Sequence, residues 1–288
     1  MAPRAIPFVT VSKQGVYAVT DEASRVLEAI DGPVGVACVV GPHRSGKSFL
    51  LNRVLLEQSK GFEVGPTVQA CTKGIWVWSE PIKATGADGK PLSLLVMDSE
   101  GLGGLNSDQD ADTRLLSLAV LLSSVLIYNS VGVVDEYALS GLSLLVKMTN
   151  HMRVEEGKDG GAEQETGERF SEVFPSLLWV VRDFALSLAT SAGGKLSPQQ
   201  YLESCLENAP GFSKEAEEVN RIRRVIKGFF PERDCATLRR PVEDEADMQK
   251  LDELPKEALR PEFLVGMSLS AARVSHAHRD GLRRRRGD

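Results

Sequence analysis

The chain has 288 residues, of which 42% are hydrophobic and 26% charged, and a net charge of −6. That length suits one large α/β domain, or such a domain with a helical appendage, better than two equal domains. The acidic balance leaves no overall positive field and argues against nucleic acid as the main partner.

In chain order, residues 8–11 and 16–19 read as short strands, and Thr20 as the N-cap of an amphipathic helix reaching Ile30. Residues 33–40 form a continuously apolar run, the pattern of a strand buried on both faces of a parallel sheet. A helix is expected from the glycine-rich octet that follows to about Leu56, then a loop over 61–73. Residues 74–78 and 92–98 read as strands joined by a hairpin turn at 87–90. Next come a helix from about Asp112, a strand over 125–128, a helix over 135–149 and an acidic, Gly-rich segment over 154–168 that reads as a disordered loop. A buried strand over 176–181 ends in Arg182-Asp183, and Ser197-Pro198-Gln199-Gln200 is a capping box. Helical patches are expected near 214–227, 247–254 and 261–274. This alternation predicts an α/β P-loop NTPase fold, with a mostly parallel central sheet flanked by helices and ligand at the carboxyl ends of its strands. The organisation read from it is a domain over 1–265 and a short helical or disordered basic tail over 266–288.

Cys38, Cys71, Cys205 and Cys235 form no C-x-x-C pair, and no signal pattern opens the chain. The most apolar stretch, 115–127, is interrupted by serines and too short to span a bilayer. A cytoplasmic protein is expected, with Arg283 to Arg286 as the one patch suited to anionic lipid or RNA.

The chemistry centres on Gly41-Pro42-His43-Arg44-Ser45-Gly46-Lys47-Ser48, a complete G-x-x-x-x-G-K-S phosphate loop between an apolar strand and a helix. A strand that turns sharply into a helix offers backbone N–H groups and the positive end of the helix dipole to a phosphate. Gly41 and Gly46 let the backbone wrap closely, Lys47 reaches the terminal phosphates, and the Ser48 hydroxyl is placed for magnesium. The apolar run ending in Asp98 supplies the second metal anchor, and Asp98-x-x-Gly101 matches a D-x-x-G switch. Thr72 is a candidate third metal ligand. The N-K-x-D guanine signature is absent; Arg182-Asp183 is the available substitute, although those residues alone read equally as an ion pair or a helix cap.

Taken together and in this spacing, G-P-H-R-S-G-K-S-F-L-L-N, T-V-Q-A-C-T-K-G-I-W, D-S-E-G-L-G and V-V-R-D-F resemble the GTPase domain of the guanylate-binding protein family, dynamin-like large GTPases related to atlastins. The resemblance runs from Pro7 to about Phe263 and implies GTP as substrate, Mg2+ as cofactor and Arg182-Asp183 as guanine reader. It also implies catalytic work for Arg44, steered inward by nucleotide-dependent homodimerisation, with Lys47, the switch threonine Thr72 and the water-organising Glu100 beside it. Val64, Gly65 and Pro66 match the stretch that closes over the nucleotide, and Pro42, His43, Ser45, Ser99, Gly101 and Leu102 complete the nucleotide-contacting set. Leu102 stands where small GTPases carry a water-orienting glutamine, and Ala70-Cys71 replaces a commoner Ser-His. The family's long helical stalk has no counterpart after Phe263. Two readings remain: a dimer-activated GTPase, or a slow guanine-nucleotide-binding module. An ATPase would require Asp183 to face away from the base.

Overall fold

Alternation of side chains along the strands builds this molecule from the inside. In the computed structural model, which describes residues 2–12, 14–64, 74–85, 89–103, 109–143, 145–146, 174–191, 193–211 and 213–286, the strands are β1 (Ala5–Val11), β2 (Tyr17–Val19), β3 (Val34–Val40), β4 (Ile75–Trp78), β5 (Ile82–Thr85), β6 (Pro91–Ser99), β7 (Val125–Val131), β8 (Ser176–Arg182) and β9 (Arg233–Thr237). They form one sheet of order β2-β1-β4-β6-β3-β7-β8-β9, with β5 also paired to β6. The five strands from β6 to β9 run parallel, whereas β1, β2, β4 and β5 pair antiparallel.

Each parallel strand sorts its residues onto two cores. Cys38, Met97, Leu126 and Trp179 belong to one face, and Val39, Val96, Ile127 and Val180 to the other. Continuous apolar runs are what a sheet covered on both sides requires. The first face is covered by α3 (Gln109–Leu122), α5 (Pro198–Cys205) and α6 (Lys214–Phe229), with α1 (Asp21–Glu28) and α4 (Glu136–Ser140) at its margins. The second is covered by α2 (Lys47–Leu50), its π-helical continuation Leu51–Leu55, and α8 (Pro261–Arg286), which buries Phe263, Met267 and Val274. A short α7 (Glu245–Met248) and a 3-10 turn (Lys256–Ala258) lead into α8.

The central prediction of an α/β P-loop fold holds, and the capping box at Ser197 is formed in full. The hairpin holds in modified form. Its first arm is interrupted at residues 79–81, so β4 pairs with one end of β6 (Val77 with Met97) and β5 with the other (Ile82 with Leu94). Strand β9 was not expected from the sequence: it opens on Arg233-Asp234, and only Cys235 and Ala236 are buried. Helix α4 ends at Ser140, the chain turns at residues 141–142 and helical backbone resumes at 143 and 145–146, while residues 144 and 147–149 of the expected helix lie outside the described residues. Turns replace most of the helix expected over 247–254. One helix, α8, spans the division drawn at 265/266. The segment 154–168 and turn residues 87–88 lie outside the described residues. Among the described residues, no helix is long and apolar enough to cross a membrane.

Candidate functional site

The carboxyl ends of β3, β6, β7 and β8 lie side by side, since these four strands are consecutive neighbours with parallel pairing. Residues 41–46 leave β3 and turn into α2 at Lys47. The turn needs left-handed backbone at Arg44 (φ 63°) and Gly46 (φ 79°). Glycine accepts that conformation without strain, whereas arginine does so at a cost of about 1 kcal/mol or more that the surrounding contacts must offset. Gly41 is required for a different reason. A Cβ there would lie 2.2 Å from the Asn129 carbonyl oxygen, so only glycine lets the loop lie against β7.

The loop closes on itself around one carbonyl. Pro42 O accepts from the Ser45 hydroxyl (2.8 Å) and from Lys47 Nζ (3.1 Å). Lys47 is buried, and desolvation pushes its pKa below the usual value; Asp98 and Glu100 oppose that push and Arg44 adds to it. Arg44 itself is exposed. The His43 pKa is lowered by desolvation, then by the charges of Arg44 and Lys47.

At the end of β6, Asp98 is fully buried and accepts from the Ser48 hydroxyl at 2.6 Å. A hydroxyl and a carboxylate meeting at the head of a phosphate loop are hard oxygen donors of the kind Mg2+ takes alongside phosphate and water. Among the described residues no three His, Cys, Asp or Glu side chains cluster, so a metal here would draw its remaining ligands from elsewhere.

Beyond Asp98 the chain is tied to its neighbours by backbone. Leu102 N–H donates to Gly41 O (3.0 Å) and His43 N–H donates to Leu102 O (2.9 Å). Gly101 packs so closely that a Cβ would lie 2.5 Å from the His43 Cα. Glu100 exchanges two bonds with Gly74: its N–H donates to Gly74 O (2.8 Å), and its carboxylate accepts from Gly74 N–H (3.0 Å).

Two further strand ends reach the loop from beneath. Buried Asn129, in β7, donates from Nδ2 to Ser45 O at 2.8 Å. Buried Arg182, the last residue of β8, donates from Nη1 to Gly46 O at 3.2 Å, and its guanidinium lies 5.4 Å from the Phe49 ring and 5.7 Å from the Phe263 ring. Asp183 follows in left-handed backbone (φ 55°), and its buried Oδ1 has no hydrogen-bond partner among the described residues. Two of the three non-glycine residues with positive φ among the described residues, Arg44 and Asp183, therefore stand at this end of the sheet.

The profile described as "Guanylate-binding protein, N-terminal domain" matches residues 14–276. The chain belongs to the guanylate-binding protein family. It is 38% identical over 246 residues to human guanylate-binding protein 1, covering 84% of this chain and 40% of that protein. It is likewise 37% identical over 249 residues to mouse guanylate-binding protein 7 (86% and 38%) and 38% identical over 256 residues to guanylate-binding protein 1 of Pongo abelii (88% and 42%). The chain thus spans about two-fifths of the length of these relatives.

On this guanylate-binding frame the loop residues 41–48, Asp98, Glu100, Gly101 and Asp183 gather at one end of the sheet. The remaining candidates are placed differently. The Leu102 side chain is buried in the first core, and only its backbone meets the loop. Val64 packs against the second core, and Ser99, also buried, donates to Glu100 O. The Arg182 side chain lies beneath the loop, on Gly46 O and beside two rings. Gly65, Pro66 and Thr72, with Ala70 and Cys71, lie outside the described residues. Asn129 was not singled out by sequence; its only signal is a polar residue directly after the apolar run Leu126-Ile127-Tyr128.

Proposed function

We propose that this domain binds GTP with Mg2+ at residues 41–48 and hydrolyses it by transfer of the γ-phosphoryl group to water. The observation that carries the reading is the Ser48–Asp98 pair, 2.6 Å apart at the mouth of a loop closed on Pro42. The family's printed name, guanylate-binding, supports guanine as the base. So does the unpartnered Asp183 Oδ1, because a carboxylate accepts from the N1–H and exocyclic amine that guanine presents together and adenine does not.

In this reading the loop's N–H groups and the Lys47 ammonium hold the phosphates, Lys47 leaving Pro42 O to do so. Ser48, Asp98 and Thr72 hold the metal, which when bound neutralises charge on the phosphate oxygens. Glu100, anchored on Gly74, organises the attacking water. Exposed Arg44 supplies positive charge to the transition state once a second copy covers the nucleotide face and turns it inward. Three free cysteines among the described residues accord with a cytoplasmic site of action.

The alternative, a nucleotide-holding module with little turnover, draws on Ala70-Cys71. Phosphate release from GTP with Mg2+, followed across protein concentrations with ATP as control, separates the two. A specific activity that rises with concentration is expected; tight GTP binding with a flat, near-zero rate would favour the module.

A further inference from the structure

Ser45 O and Gly46 O are consecutive carbonyls, and each is held by a buried side chain from a neighbouring strand, Asn129 from β7 and Arg182 from β8. A hydrogen bond to a carbonyl fixes the plane of that peptide and polarises its N–H. The N–H groups so affected belong to Gly46 and Lys47, at the start of α2, where helix geometry offers them no partner.

Arg182 is costly where it stands. Its buried guanidinium reaches one neutral carbonyl, which also accepts from Leu50 N–H, and Nε has no partner among the described residues. Apolar residues replace such buried charges at little or no cost in stability, so stability alone gives no reason for arginine here. What fixes the guanidinium is aromatic: Phe49 of α2 and Phe263 of α8 stack 6.0 Å apart and both face it. Phe263 is fully buried, and α8 is seated so tightly that a Cβ on Gly266 would lie 2.7 Å from Leu238.

We infer that Asn129 and Arg182 are positioning residues for the phosphate loop, and that Phe263 locks Arg182 in place, so that the seat of α8 on the sheet governs affinity for nucleoside phosphates. The inference rests on the proposal that this loop binds GTP. It moves Arg182 from the base to the phosphates, leaving Asp183 as the base reader.

The test uses the whole chain, competing GDP and ADP against a fluorescent GDP analogue, with thermal unfolding measured without nucleotide. Arg182→Met is expected to unfold at or above the parent's temperature while GDP and ADP both weaken by the same factor, about tenfold or more, for the loss of a charge-assisted bond. Asn129→Ala and Phe263→Leu are expected to weaken GDP in the same sense, and they decide the matter if Arg182→Met does not fold. Unchanged GDP affinity in the folded variants would overturn the inference. So would a loss confined to GDP, which would return Arg182 to the base. A parent that binds no guanine nucleotide would sink the functional proposal itself, and the inference with it.

Discussion

The two rims of the candidate site are built differently. On the phosphate rim, side chains do the holding: Asn129 and Arg182 grip consecutive carbonyls, and Ser45 and Lys47 converge on Pro42. On the rim formed by residues 99–103, backbone does most of it, through Leu102 with Gly41 and His43 and through Glu100 with Gly74. A rim of side chains is specified residue by residue. One of backbone bonds can shift register or release a segment by exchanging a few equivalent bonds, as a nucleotide-sensing element must. Substitutions of the gripping side chains on the first rim should therefore strike binding, and those on the second, like that of the exposed Arg44, should strike turnover.

Lys47→Ala should break the phosphate rim most completely, removing measurable GTP binding in a calorimetric titration, because the loop loses its one buried ammonium. Arg44→Ala should leave affinity nearly intact and slow single-turnover hydrolysis by up to about 10^3-fold; normal hydrolysis would remove Arg44 from the chemistry. For the other rim, Glu100→Ala frees Gly74 N–H, and the expected outcome is a turnover about tenfold lower with GDP affinity within about threefold of the parent. A change mainly in affinity would erase the distinction between the rims. The smallest effect concerns pH. The His43 pKa is depressed in the folded chain, so the native state binds fewer protons than the unfolded one between that lowered pKa and the ordinary 6.5, and stability rises with pH through that window. A bound polyphosphate favours the protonated ring, so GDP affinity should grow by no more than about threefold on going from about pH 8 to about pH 6, and the trend should vanish in His43→Gln.

Which parts of this were legible in the sequence follows from how local their causes are. The run over 33–40 announces a central strand because burial on both faces leaves no polar position, and the loop octet is contiguous. Strand β9 carries no such mark: edge position leaves it polar, and its pairing with β8 is decided across more than fifty residues of chain. The same holds within the site. Asp98 could be read because it ends an apolar run, whereas the role of Arg182 depends on Phe49 and on Phe263, distant in sequence and joined only by the seating of α8. Asn129 is a buried polar residue whose partner is a loop carbonyl, and no spacing rule connects it to Ser45.

The most direct test of the central claim is a titration of the chain with GTP and with ATP in the presence of Mg2+, repeated on Asp183→Asn. The account predicts binding of GTP well above ATP, and a preference in Asp183→Asn that moves from GTP toward xanthosine triphosphate. Equal affinity for GTP and ATP in the parent, or an unchanged preference in the variant, would contradict it.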